Sequence, residues 1–379
     1  MAYQTGAAAD IDALLTALKN FAVANGWTLL VQDTVTLSFY NSYPSVGYAR
    51  HDNTYSLVSS LSSSSAYKQG ATSAAATRVV LARAGVTYQF FGFHKSFYKN
   101  GVLGTYAVLE AWVCDGWNGG VAAHQQTNNR KYALIGPLAT ALYAYHLFSN
   151  GEYVHLVVEE TPGRFRHLSF GFLAKYADFA GGQYLTAGCP IESATTSAYD
   201  FNITNALIPF GMNGQNTTKA NLTNYAYAGT YVRADIDGLS VGWRVLNRGS
   251  SWVDAANGDA YGGGTYSNVA TSRGGPSGTT TTRALAHDLA YHCSPQSWNG
   301  LAPMLPCYAG VFRSPYNGNW TLLGEFPDVR FLNIANLNPG DELTLGTDVW
   351  KVFPVFAKEY SVLAEPISYD YGLAYRKVV

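Results

Sequence analysis

Three carboxylates, Asp341, Glu342 and Asp348, fall within eight positions of the stretch LNPGDELTLGTDVWKVFP, which runs from Leu337 to Pro354. Paired acids can carry general acid–base catalysis or hold a hard cation. The spacing fits another purpose. Pro339-Gly340 supplies a turn, Glu342 to Leu345 alternates as a half-buried strand, Gly346 to Asp348 turns again, and Val349 to Phe353 alternates back. Asp341 and Asp348 stand where a carboxylate accepts from nearby backbone N–H groups. A hairpin is expected, with Trp350 inward, Lys351 outward, and no catalytic dyad.

His287, His292, Cys293 and Cys307 are the other residues whose types could bind a metal. Structural zinc sites use C-x2–4-C or H-x3–5-H pairs, and adjacent His292 and Cys293 project in different directions. No metal is expected. The remaining histidines are scattered, and no G-x-S-x-G elbow, P-loop or H-E-x-x-H occurs. GDAYGGGTY lacks the preceding strand and following helix of a phosphate loop. No cofactor and no catalytic residue are assigned.

Aromatics beside turn residues form the last candidate set: Trp117 and Trp298 in Trp-Asn-Gly, and Tyr316 and Trp320 in YNGNW. Such rings stack on sugar faces, anchor protein interfaces, or close a strand end. These four are the candidate interface or glycan contacts.

The elements that must position these residues are mostly strands. DIDALLTALKNFAVANGWTLL places Ile11, Leu14, Leu15, Leu18, Phe21 and Ala22 on one stripe, with Asp10 as cap and Asn25-Gly26 as stop. An N-terminal amphipathic helix followed by a strand from Trp27 is predicted. SSLSSSS (59–65) and the Ala/Thr stretch 71–77 read as a flexible excursion or a weak helix, and 78–97 as one or two strands turning at Gly85. YVHLVVEE, TPG and RFRHLSFG form a hairpin on Pro162-Gly163, with Glu159 and Glu160 facing Arg164 and Arg166. Three regions follow: a helix plus β-sheet domain (1–190), a Gly/Ser/Thr-rich insertion of loops and short strands (191–282), and a C-terminal β-hairpin domain (283–379). The fold class is α+β, predominantly antiparallel β.

Charge narrows the partners. Only 13% of the 379 residues are Asp, Glu, Lys or Arg, about half the usual share for a soluble domain. A surface hydrated by Ser, Thr, Asn and Tyr is buried against a partner at low desolvation cost. A net charge of −1 without basic runs gives no footprint for nucleic acid. The start MAYQTGAAAD lacks a basic n-region and an apolar h-region, and no window of about 18 apolar residues occurs, so neither export nor membrane insertion is expected.

The stretch LLGEFPDVRFLNIANLNPGDELTLGTDVWKVFPVF, the terminal YDYGLAYRKV, the segment Thr5 to Leu30 and YVHLVVEETPGRFRHLSFG together resemble a pattern in uncharacterised structural proteins of tailed bacteriophages. The likeness covers the first 30 residues, about 150–185 and about 305–379. It implies a virion component of the tail or baseplate that works by docking to other virion proteins and to symmetry-related copies of itself. It also implies a virion location, reached from the host cytoplasm during assembly, and carries no catalytic residue. The alternative expectation is an adsorption protein that binds a host-surface glycan through its loop aromatics. A cell-wall hydrolase would need paired carboxylates or a metal triad that the sequence does not display.

Overall fold

The computed structural model describes residues 2–43, 46–50, 73–83, 90–100, 104–120, 131–138, 141–188, 209–211, 230–234, 242–247, 251–254, 302–313, 319–358 and 371–377. The chain opens with strand β1 (Ala2–Ala8) and helix α1 (Ile11–Ala24). Asp10 accepts the Ala13 N–H over 2.8 Å and so caps the helix, whose buried residues are the six of the predicted stripe. The helix ends at Asn25, and Gly26 turns the chain at φ +88°.

Strands β2 (Trp27–Tyr43), β3 (Val46–Arg50), β4 (Ser73–Arg83), β5 (Phe90–Asn100), β6 (Gly104–Cys114) and β7 (Lys131–Leu138) form one antiparallel sheet, called N-terminal here. The Ala/Thr stretch is thus extended from Ser73, not helical: it lies between β2 and β5, where pairing on both sides outweighs the helix propensity of alanine. Gly85 and the serine run lie outside the described residues.

A central sheet takes β8 (Leu142–Ser149), β9 (Tyr153–Thr161), β10 (Arg164–Phe172) and β12 (Gly181–Gly188), with the two-residue β11 (Ala174–Lys175) between them in sequence. It continues through β13 (Thr230–Ala234), β14 (Gly242–Asn247) and β15 (Ser251–Asp254), in the order β1-β8-β9-β10-β12-β13-β14-β15. The opening residues Ala2–Ala8 are therefore a strand of this sheet, and three strands of the Gly/Ser/Thr-rich segment extend it. A C-terminal sheet joins β11 to β16 (Leu305–Arg313), β17 (Asn319–Asn333), β18 (Glu342–Leu345), β19 (Asp348–Pro354) and β20 (Tyr371–Lys377). The described residues are thus mostly antiparallel β-sheet with one α-helix.

The central sheet is buried on both faces. On one, Leu147, Leu156, Leu168, Phe170 and Leu185 pack against Leu14, Leu15 and Leu18 of α1 and against Leu81, Phe91 and Phe93 of the N-terminal sheet. Trp27 meets Phe170 edge-on at 5.0 Å. On the other, Phe148, Tyr153, Phe165 and Tyr184 pack against Phe326, Phe331, Phe353 and Tyr375 of the C-terminal sheet. Each such ring, fully buried, contributes about 1.5–3 kcal/mol before the entropy cost of fixing it. Trp350 is buried at 3% exposure among Leu332, Ile334 and Val352 on the outer face of the C-terminal sheet.

Candidate functional site

The carboxylates of the C-terminal hairpin are engaged in structure. Asp341 Oδ2 accepts the Asn338 N–H at 2.7 Å and closes the turn. Glu342 Oε1 accepts from Lys377 at 2.9 Å and from Lys351 at 3.4 Å, and the Lys377 hydrogen bond leads the interactions that lower its pKa. Asp348 accepts from Arg376 at 2.7 Å, while the other terminal nitrogen of Arg376 donates to Asp328 at 3.1 Å. Tyr153 then donates to Asp328 over 2.7 Å, which ties the hairpin to the central sheet. Asp328 holds φ +53°, an uncommon backbone state for a residue with a side chain.

The Pro162-Gly163 hairpin divides its acids differently from the expectation. Glu160 pairs with Arg166 at 2.8 Å in a buried contact, but Glu159 accepts the Gly163 N–H at 2.8 Å and so braces the turn. A carboxylate so near the turn reaches its backbone donors without extending a side chain across the strands.

The densest polar cluster lies between the central and C-terminal sheets. His155 and His167 are wholly buried. His155 Nε2 lies 2.8 Å from the carbonyl oxygen of Pro327, and His167 Nε2 lies 2.9 Å from that of Pro354. A carbonyl only accepts, so each Nε2 carries the proton and each Nδ1 is an acceptor. Ser169 Oγ fills Nδ1 of His155 at 2.6 Å, and the Tyr375 hydroxyl fills Nδ1 of His167 at 2.8 Å. Tyr184 in turn donates to Ser169 at 3.0 Å. Burial, first among the causes, pushes both imidazoles down to about 4, so both are neutral near pH 7. Burial also pushes the Tyr153, Tyr184 and Tyr375 hydroxyls up. Imidazoles with both nitrogens occupied join two sheets. Proton transfer to a substrate would need one of those nitrogens free.

This cluster was hidden in sequence by its partners. His155 and Ser169 stand directly opposite in the β9–β10 register, so the hairpin alone could have paired them. Pro327, Pro354 and Tyr375 carry no local signal.

Of the metal candidates, Cys307 is wholly buried between the two sheets, where burial raises its thiol pKa, and His287, His292 and Cys293 lie outside the described residues. Cys114 is buried as well, and burial pushes its thiol up to about 12. Among the described residues no three His, Cys, Asp or Glu side chains gather to hold a metal.

Of the candidate contact aromatics, Trp298 and Tyr316 also lie outside the described residues. Trp320 sits in β17 opposite Phe312 of β16, and only its backbone is described. Trp117 is half-buried just beyond β6. Its ring lies 5.6 Å from that of Trp112, and the Arg78 guanidinium stands 5.4 Å from its centroid. Arg78 is held by both oxygens of Asp33, its Nε donating at 2.8 Å. Trp112 itself lies over Gly92, where a Cβ would stand 1.9 Å from the indole. The stack Gly92, Trp112, Trp117, Arg78, Asp33 places Trp117 as a cover over the sheet face.

No known protein family matches the chain, and no curated protein matches it.

Proposed function

We propose that this chain is a structural component of a tailed-phage virion, of the tail or baseplate, acting by docking in a symmetric assembly and not by catalysis. The observation that carries this reading is the inward-closed polar network: His155, His167, Tyr153, Ser169 and Tyr375 meet one another, main-chain carbonyls and Asp328, and thereby fix two sheets together. Such a network stiffens a scaffold. The low charge and the resemblance of the flanking segments support the same reading. Its partners would be other virion proteins and further copies of the chain, reached from the host cytoplasm during assembly.

The alternative is an adsorption protein that binds a host-surface glycan. Trp117 supports it by its partial exposure at a turn, although Trp112 and Arg78 already engage the ring, so a sugar would compete with them. Peptide mass analysis and a density map of purified particles test the first reading: the chain should be present in stoichiometric, symmetric copies. Particles that lack it overturn that reading. Loss of glycan binding and host attachment in W117A particles that are otherwise intact would favour the alternative.

A further inference from the structure

The central sheet is packed on both sides, yet its imidazoles stand on one. His146 of β8, His155 of β9 and His167 of β10, the three histidines whose side chains are described, all meet the C-terminal sheet: His146 lies 4.7 Å from the Phe353 ring, and the other two donate to the carbonyls of Pro327 and Pro354. Toward α1 and the N-terminal sheet the same strands present Leu147, Leu156 and Leu168 to an apolar core. Two ion pairs bridge that second side, Arg83 with Glu152 at 2.9 Å and Arg233 with Asp115 at 3.0 Å.

Charge around the imidazoles leaves little to offset a proton. The charge that bears on His167 is the positive Arg166 of its own strand, which Glu160 of β9 pairs. His155 has Asp328 of β17 near it, but that carboxylate already accepts from Tyr153 of β9 and from Arg376 of β20, which also holds Asp348. His146 lies against Tyr3 of β1 and Phe353 of β19, under the influence of Lys351; Lys377, over the Tyr3 ring, shares Glu342 with that lysine. The remaining titratable groups of this contact are Tyr184 of β12, Cys307 of β16 and Tyr375 of β20, which burial holds in their neutral forms.

We propose that the contact between the central and C-terminal sheets is an acid-released clamp: protons taken up by His167, His155 and His146 part these two sheets while the central sheet stays docked on α1 and the N-terminal sheet. At His167 the reason is geometric. A proton on Nδ1 points at the Tyr375 hydroxyl, which donates there in the closed contact and must turn its own hydrogen away from its acceptor. The resulting cation lies among the rings of Phe165, Phe353 and Tyr375, whereas parted sheets give it water. The closed contact holds all three imidazoles at about 4, against about 6.5 in water, so between those values the open form binds more protons. At pH 5 each histidine then favours opening by roughly 30-fold relative to neutral pH. Glu160 works the other way, since burial raises its carboxyl, and offsets part of this at the acid end. Sub-global opening of one packed unit is an ordinary property of folded chains. The clamp does not depend on the virion reading.

Two native cysteines report on it. Cys307 is wholly buried in the contact, and Cys114, buried at the end of β6, is the control for the N-terminal sheet. The full chain is labelled with dithiodipyridine, which reacts with thiols in acid, at pH values from 7.5 to 4.5, and peptide mass locates the label. Relative to free cysteine, Cys307 should react at least about 10-fold faster at pH 5 than at pH 7.5, with the rise beginning near 6.5, while Cys114 stays protected. His167→Gln, which cannot take up the proton, should move the rise to lower pH. Should that variant fold poorly, the onset in the unmodified chain decides. A Cys307 that stays protected at pH 5, a rise that begins only below about 4.5, where ordinary carboxylates titrate, or joint exposure of both cysteines overturns the clamp. So does a folded His167→Gln with an unshifted profile. A chain absent from purified particles sinks the proposed function and leaves the clamp standing.

Discussion

The Tyr375 hydroxyl donates to Nδ1 of His167 across 2.8 Å and 208 positions of sequence, and the two rings stack at 5.8 Å. This one contact joins a middle strand of the central sheet to β20 of the C-terminal sheet. It also sets the tautomer of an imidazole that water does not reach.

Removing that hydroxyl should be costly although the ring stays. In Tyr375→Phe the stack on Phe148 at 5.3 Å survives, but Nδ1 of His167 loses its donor. A buried acceptor left without a partner costs about 1–3 kcal/mol. The unfolding free energy from urea melts should fall by that amount, seen as a lower midpoint with an unchanged slope. A midpoint equal to that of the unmodified chain would remove the hydrogen bond from the account.

Stability should fall as the solution is acidified through the range 6.5 to 4. His155 and His167 have folded pKa values near 4, and His146, packed between Tyr3 and Phe353, is lowered to about 4 as well, burial being the main cause in all three. Unfolded histidine titrates near 6.5. Between the two values the unfolded chain binds more protons, so the contribution is fully present above about 6.5 and is lost as pH falls toward 4. Each histidine adds a slope of up to about 1.4 kcal/mol per pH unit. Denaturant melts at a series of pH values measure it, and H167Q should show a shallower slope. A flat profile from pH 7 to 4.5 would refute the neutral buried imidazoles.

Gly346→Val should destabilise the C-terminal hairpin by about 1–3 kcal/mol. Gly346 holds φ +63°, and a Cβ there would meet nothing within 4 Å, so the cost is backbone strain and not a clash. Asn, which tolerates this conformation, should keep most of the stability in Gly346→Asn. Thermal melting of the two variants separates the causes, and equal losses would show that strain is not the source.

Gly92→Ala should act through Trp112. The added methyl overlaps the indole, so the ring must shift and carry Trp117 with it. Overpacking of this kind costs about 1–3 kcal/mol. A change in tryptophan emission together with a lower melting temperature is the expected readout. An unchanged spectrum would mean that the face has room that the close approach denies.

What was legible in sequence had a period. The stripe from Ile11 to Ala22, the Asp10 cap, the Pro162-Gly163 hairpin and the alternation that buries Trp350 all read directly, because one face of each element is apolar and the turn residues are specific. β1 did not. Its mixed, partly exposed residues AYQTGAA are ordered by pairing with β8, about 140 residues away. The site was half legible: hairpin register could have set His155 against Ser169, but the carbonyls and hydroxyl that complete both histidines come from strands more than 170 positions on. Strands buried on both faces lose the alternation that would have shown two sheets meeting there.

The face of the central sheet that carries the histidines is closed by segments that a ribosome makes well after the sheet's own hairpin. When β9 and β10 leave the exit tunnel, β17 and β20 are still unsynthesised, so His155 and His167 stand in solvent beside Phe148, Phe165 and Tyr184. The nascent chain then exposes a broad apolar face whose imidazoles lack the burial that lowers their pKa, and it cannot acquire its final acid sensitivity until β17, β19 and β20 dock. Vectorial synthesis thus leaves the most buried surface of the sheet bare until β17 and β20 follow, and exposed apolar surface of this kind is what makes folding intermediates prone to aggregate.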